Sequence, residues 1–306
     1  MPTFTLRAAD ATDFGAAADL RAVLNPDRII TREGMQVMMG DLPERAQMAS
    51  WLAEVDGAPA GWAMGLRAWT QPDDGIGTID VVVHPDHQRG GIGAALAARA
   101  EAHCAAVGLH TLRGSSVDAP DARALAEQLG YQETHATSTS SVDPRTVVPL
   151  PVPDDVRLVP FGELDDPAPV FELDLEVSRD VPGDDSFESL TLDEWAQRFW
   201  HSVFADDECS LLATVDGVPA GLTVMRVDRP SGRAQNNITG VRRQHRGRGL
   251  ARLLKTHSLH RVAQAGATSA ITDNDETNAP MLAVNRSLGY RHLVRRVEWE
   301  RTRDGA

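Results

Sequence analysis

One pattern occurs twice in this chain, in the same order, and a pattern repeated at a nearly constant offset means one structural unit used twice. Val55-Asp56-Gly57-Ala58-Pro59-Ala60-Gly61 returns as Val215-Asp216-Gly217-Val218-Pro219-Ala220-Gly221, 160 residues later. Gly91 returns as Gly249 after 158 residues, and Leu129-Gly130-Tyr131 as Leu288-Gly289-Tyr290 after 159. A length of 306 residues is about twice that of an ordinary domain, so each copy has material for its own core. Between the copies, Pro144, Pro149, Pro151 and Pro153 remove backbone donors and disfavour helix. The expected organisation is a first domain over 1–142, a linker over 143–154 and a second domain over 155–306. Val156-Arg157-Leu158-Val159-Pro160 parallels Thr5-Leu6-Arg7-Ala8-Ala9 at an offset of about 150, so the second copy carries extra residues between Ser178 and Thr191.

Each Asp-Gly pair sits between apolar runs, Trp51 to Val55 with Gly61 to Leu66 and Leu211 to Val215 with Gly221 to Val227, which predicts an antiparallel hairpin. The run Ile79-Asp80-Val81-Val82-Val83 is rich in β-branched residues and predicts a strand. A glycine-rich turn then opens a helix over Ile92 to Val107 that stops at Gly108; its counterpart, Leu250 to Ala265, stops at Gly266. A short strand (Thr111-Leu112; Ser269-Ala270-Ile271), a short helix and a closing strand complete the unit. The fold class is mixed α/β: two tandem domains, each a central, largely antiparallel sheet flanked by helices.

With 42% hydrophobic and 24% charged residues the chain is globular, and a formal charge of −14 argues against nucleic-acid binding and favours cationic small molecules. No stretch approaches the roughly 18 consecutive apolar residues of a membrane span, and the first residues lack a basic region followed by an apolar run, so the cytoplasm is expected. Cys104 and Cys209 are too few for a disulfide framework and are spaced unlike a zinc site; they read as buried thiols, and no metal is expected. The expected assembly is a monomer or a homodimer.

The segment from Val81 to Ala94, and its counterpart from Thr239 to Ala251, place a strand, a turn and a glycine-rich helix start in succession. Such an arrangement gathers backbone N–H groups at the positive end of a helix dipole, a site suited to pyrophosphate. The plain alternative is a turn that only joins strand to helix. A dinucleotide-binding fold is not indicated, because no Gly-x-Gly-x-x-Gly is followed by an acidic strand end roughly 20 residues on. Gln88-x-x-Gly91-x-Gly93 and Arg246-x-x-Gly249-x-Ala251, with the whole order of elements, resemble the GCN5-related N-acetyltransferase (GNAT) family, whose central motif is Gln/Arg-x-x-Gly-x-Gly/Ala. The resemblance covers nearly all of the chain except the linker and the helices before each hairpin.

That resemblance implies an N-acyltransferase with acetyl-CoA as donor and a small-molecule amine as acceptor. Cofactor contacts carry over to Gln88, Arg89, Gly90, Gly91, Gly93 and Ala94 in copy one and to Arg246, Gly247, Arg248, Gly249 and Ala251 in copy two. The strands before the loops would meet the pantetheine arm at Val81, Val83, Thr239 and Val241. The amine would attack the thioester directly in a ternary complex, which requires positioning, a donor to the thioester oxygen, a base and an acid. Many members supply the acid as a tyrosine four residues before the late Gly-aromatic pair; here those positions hold Ala126 and Asn285, so the usual acid is missing and Asn285 is the catalytic candidate at that place in copy two. Tyr131 and Tyr290 occupy the aromatic slot, where they read as packing residues. The thiolate could leave unassisted or through water, since a thiol has a pKa of about 8.5.

Copy two also carries Asn274 and Asn278 in a second cofactor-facing segment, where amides can bond pantetheine without charge or can cap a helix. Copy one has no asparagine in the equivalent Ser116 to Asp121. Asp80 is the base candidate on the strand before the first loop, with Ile238 at that place in copy two. Glu172, Asp174, Glu176 and Asp180 fall in the helical region that lines the family's acceptor pocket and are candidates to hold a cationic substrate; a solvated helix face is their alternative role. Copy two is expected to catalyse and copy one to be structural or regulatory. A non-catalytic acyl-CoA sensor and a protein- or peptide-acetylating enzyme remain as alternatives.

Overall fold

The computed structural model describes residues 3–70, 75–182 and 189–303. The first copy runs β1 (Phe4–Ala8), α1 (Phe14–Leu24), α2 (Arg32–Gly40), β2 (Ala49–Val55), β3 (Ala58–Arg67), β4 (Ile76–Val83), α3 (Ile92–Ala106), β5 (Thr111–Val117), α4 (Pro120–Gln128) and β6 (Gln132–Val142). The second runs β7 (Val156–Pro160), α5 (Ala168–Ser178), α6 (Leu192–Trp195), β8 (Leu211–Val215), β9 (Val218–Asp228), β10 (Arg233–Val241), α7 (Leu250–Gln264), β11 (Ser269–Asp275), α8 (Ala279–Ser287) and β12 (Arg291–Thr302). A π-turn over Ala196–Trp200 extends α6. The central part of the expected insertion between Ser178 and Thr191, residues 183–188, lies outside the described residues.

Both predicted hairpins form. Asp56 and Gly57 (φ 52° and 79°) and Asp216 and Gly217 (φ 49° and 81°) hold the two left-handed conformations that a tight right-twisted hairpin needs. Both long helices end at a glycine with positive φ, Gly108 at 79° and Gly266 at 95°.

The chain divides into two compact units, Met1–Ala136 with Arg295–Ala306 and Thr137–Val294. These are not the consecutive stretches expected from the repeat. In the first unit β5 is paired antiparallel with the end of β12, from Arg296 opposite Val117 to Thr302 opposite Thr111. In the second unit β11 is paired with the end of β6, from Ala270 opposite Val142 to Asp275 opposite Thr137. Each unit thus takes its closing strand from the other sequence copy. Expected boundaries at 142 and 155 miss this, because a repeat shows that a closing strand exists and not which of two equivalent sheet edges it joins.

The exchanged strands reach the cores. Val297 and Trp299 pack with Leu96, Ala100 and Cys104 of α3 and with Ile79 and Leu112, and the Trp299 Nε1–H donates to Ser116 Oγ at 2.9 Å. In the second unit Val142 packs with Met225, Leu259, Val262, Ala270 and Tyr290. The proline-rich segment is no free tether: Val147 is buried in the same core, and the Leu150 carbonyl meets His257 Nε2 of α7 at 2.7 Å.

What positions a site is a parallel strand pair in each unit. β4 pairs with β5 only over Ile76–Thr78, and β10 with β11 only over Arg233–Asn236. Beyond those residues the two ladders stop, and in each unit the glycine-rich turn and the long helix follow.

Candidate functional site

In the second unit the turn after β10 places Gly247 and Gly249 at φ 77° and 79°, and a Cβ at either would meet nothing within 4 Å. Gly249 caps α7, and the first bond across that turn runs from the Leu253 N–H to the Gly249 carbonyl at 2.9 Å. The N–H groups of Leu250, Ala251 and Arg252 therefore lie ahead of the helical ladder, at the positive end of the helix. Together with the split between β10 and β11 this cradle fits a diphosphate and an extended arm.

The first unit repeats the turn under strain. Gly91 caps α3 at φ 87°, but the place of Gly247 is taken by Arg89, which adopts φ 61° at a cost of about 1 kcal/mol. Gly90 stands where copy two has Arg248.

Several predicted contacts are redistributed. Gln88 Nε2 donates to the Val83 carbonyl at 3.1 Å and Arg246 Nε to the Val241 carbonyl at 3.0 Å, so the first motif residue fastens the turn to its strand in both units. Arg89 is paired with Asp121 and Arg248 with Asp155. Val81 and Val83 pack toward the α3 core, Val241 packs against Leu250 and Leu253, and Thr239 Oγ1 lies 2.8 Å from Thr223 Oγ1. Gly93, Ala94 and Ala251 lie in the first helical turns.

A cavity of about 310 Å³ opens in the second unit between β10 and β11, just past their last paired residues. Phe161, Trp195, Phe199 and Trp200 are its aromatic lining residues, with Asp174, Asp273 and Asp275 as its carboxylates and Gln235, Asn237, Asn274 and Asn278 as its amides. The aromatic side chains support one another: Phe161 stacks on Trp200 with ring centroids 5.0 Å apart, and Trp195 lies 6.1 Å from Phe199. Asp174 is buried and accepts the Trp195 Nε1–H at 2.8 Å. Asp273 accepts the Thr139 hydroxyl at 2.5 Å, and Asp275 accepts the Thr277 N–H at 2.7 Å.

Of the four acidic candidates from the helical region, only Asp174 lines the cavity. Glu172 is exposed on α5, and Glu176 pairs with Arg242 at 2.9 Å. Asp180 binds Arg243 at 2.9 Å and Arg246 at 2.5 Å, and the two guanidiniums hold its carboxyl well below the usual carboxylate range. Asp80 is committed to an ion pair with Arg21, whose guanidinium also lies 5.5 Å over the Trp62 ring. Burial, with Arg28 and Arg296 nearby, pushes Arg21 down to about 10. A carboxylate so neutralised is badly placed to take an ammonium proton.

Asn278 caps α8, its Oδ1 accepting the Met281 N–H at 3.3 Å, and it also lines the cavity. Asn285 is buried and donates to Asn274 Oδ1 at 2.6 Å, while its own Oδ1 has no hydrogen-bond partner among the described residues. An amide has no acidic proton to give, so Asn285 positions Asn274 and is no replacement for a tyrosine acid. Sequence reasoning missed the aromatic side of the cavity. Its signal was there, since a chain with 5% aromatic residues sets Trp195, Phe199 and Trp200 within one short stretch.

The family model for "Acetyltransferase (GNAT) family" matches residues 20–131 and again 174–290. A mycothiol acetyltransferase from Acidothermus cellulolyticus is 28% identical over 241 residues, covering 73% of this chain and 71% of that protein. Another, from a Parafrankia species, is 25% identical and covers 98% of both. Among solved structures, a tandem GNAT protein from the clavulanic acid biosynthesis pathway superposes with a TM-score of 0.78 at 23% identity, covering 99% of this chain and 100% of that one. A GCN5-related N-acetyltransferase from Sphaerobacter thermophilus gives 0.74 at 22% identity, covering 99% and 97%. No helix among the described residues is long and apolar enough to cross a membrane. With the strand, turn and helix cradle formed twice and the family model matched at both, the chain belongs to the GNAT acetyltransferases, an N-acyltransferase of two tandem GNAT domains.

Proposed function

We propose that the second unit transfers the acetyl group of acetyl-CoA to the amine of a small cationic molecule by direct attack, and that the first unit is structural or regulatory. The cavity carries this reading: three carboxylates with an aromatic side, opening where β10 and β11 part. A small-molecule acceptor accords with relatives named mycothiol acetyltransferases.

When bound, acetyl-CoA supplies an activated acyl carbon. The N–H groups at the start of α7 hold the diphosphate by charge-assisted hydrogen bonds. Asp174 and its carboxylate neighbours draw the ammonium in, and the aromatic side chains favour a cation and an apolar body together. A cavity carboxylate first takes one proton from the ammonium and frees its lone pair; as the N–C bond forms and the C–S bond breaks, the nitrogen sheds its second proton to water. The thiolate takes its proton from water, since no tyrosine stands where Asn285 does.

Division of labour follows from charge. Helix α5 brings Asp174 to the second unit's cavity, whereas α1 brings Arg21 onto Asp80 in the first. The test is thioester consumption across a panel of small amines. Asp174→Asn keeps an acceptor for Trp195 and removes the charge, so the acceptor KM should rise about tenfold, the effect of one lost charged contact. Tight acetyl-CoA binding with no turnover of any amine would leave the non-catalytic sensor in its place.

A further inference from the structure

Lys255 is the sixth residue of α7, only 2% exposed, and the chemistry above leaves it without a role. A buried lysine must be compensated. The first unit shows that packing does not require it, since the sixth residue of α3 is the equally buried Ala97. Lys255 Nζ donates to Asn236 Oδ1 at 2.7 Å and lies 5.1 Å from the Tyr290 ring centroid.

Asn236 is itself buried and acts as a hub. Its Oδ1 also accepts from Thr239 Oγ1 at 3.0 Å, and the two hydrogens of its Nδ2 are shared among Thr223 Oγ1 at 3.0 Å and the carbonyls of Val224 and Ile238, both at 3.2 Å. Those bonds straddle an irregularity in the strand. Asn236 stands opposite Met225 and Ile238 opposite Val224, so Asn237 is an extra, bulged residue. The bulge breaks the alternation of faces. Gln235 lines the cavity, Asn236 turns to α7, Asn237 and Ile238 both line the cavity, and Thr239 returns to the side of Asn236.

The first unit is the internal control. There β4 runs opposite β3 without a bulge, Ile79 and Val81 both pack with the α3 core, and Ala63 stands opposite Val81 where Thr223 stands opposite Thr239. Polar hub and bulge occur together in one unit and are absent together from the described residues of the other.

We propose that Lys255 is a positioning residue for the acceptor site, holding the β10 bulge through Asn236 so that Asn237 and Ile238 both form the cavity wall. This rests on the cavity being the acceptor site. Lys255 touches neither substrate; it fixes the amide that sets the strand.

The test compares the full-length protein with Lys255→Met, which keeps length and removes the donor, and Lys255→Gln, which keeps a neutral donor. Steady-state kinetics with the best amine of the panel are read beside amide hydrogen exchange. Lys255→Met should raise the acceptor KM about tenfold and speed exchange at Ile238 and Thr239 but not at Ala270–Thr272. Lys255→Gln should return the acceptor KM to within about threefold of the parent. An unchanged acceptor KM and unchanged exchange in Lys255→Met overturn the proposal, as does a uniform loss of activity that tracks the folded fraction. If Lys255→Met does not fold, Thr223→Val removes one Asn236 partner with Lys255 in place; a raised acceptor KM supports the proposal and an unchanged one overturns it. Should the parent protein acetylate no amine, the functional reading fails on its own, and exchange at Ile238 and Thr239 still decides whether Lys255 holds the bulge.

Discussion

At the scale of single residues, copy two departs from copy one where charge enters the core. Burial pushes the Lys255 ammonium down to about 7, whereas an unfolded lysine titrates near 10.5. Between those values the unfolded chain binds a proton that the folded chain does not, so stability rises with pH across that window. The full shift would correspond to several kcal/mol; the Asn236 hydrogen bond and the Tyr290 ring offset part of the desolvation, so a rise of roughly 2 kcal/mol from pH 7 to pH 10 is expected. Lys255→Met should flatten that rise, measured as the difference in denaturant unfolding free energy at the two pH values; equal slopes in parent and variant would mean the lysine is not titrating in the core. None of this was legible beforehand. Lys255 lies in an amphiphilic stretch, Leu253-Leu254-Lys255-Thr256, where a lysine ordinarily reads as surface, and only the helix packing puts it inside.

At the scale of elements, the two glycine-rich turns were readable because their function needs backbone and little else: a strand, a positive-φ turn and the start of a helix. Their inequality was readable only in part. Gly249 and Gly91 both cap helices with positive φ and open space above them. Gly249→Glu and Gly91→Glu should therefore each cost about 1 kcal/mol in backbone strain and place a carboxylate where a diphosphate would sit. Gly249→Glu should abolish both turnover and coenzyme A binding to the second unit, whereas Gly91→Glu should leave turnover within about threefold. Calorimetric titration beside the thioester assay reads both. Turnover lost with Gly91→Glu and kept with Gly249→Glu would reverse the division of labour. The acidic candidates on α5 show why such segments are harder: a helix presents several faces, and which of Glu172, Asp174 and Glu176 turns inward depends on the sheet it meets.

At the scale of the whole molecule, the exchanged closing strands make the sequence copies inseparable as folding units. A fragment of residues 1–142 lacks Arg296–Thr302, leaves the β5 edge without its antiparallel partner and loses Val297 and Trp299 from the core, about 2 kcal/mol or more for each buried side chain. It should aggregate or show no cooperative unfolding, while the same fragment with residues 291–303 fused to its end should fold; the comparison is by size-exclusion chromatography and thermal melts. Autonomous folding of 1–142 would show that β6 can close its own sheet. The sequence by itself determined that one mixed α/β unit is used twice, where its hairpins and helix stops fall, and which turns open a helix with positive-φ glycine, because those follow from local backbone chemistry repeated at a constant offset. The tertiary structure decided which strand closes which sheet, that Asp80 and Asp180 are spent on arginines, and that Asp174 and the Trp195–Trp200 stretch meet at a cavity. Those outcomes depend on pairing between segments far apart in the chain, where two edges or two faces are locally equivalent and only packing distinguishes them.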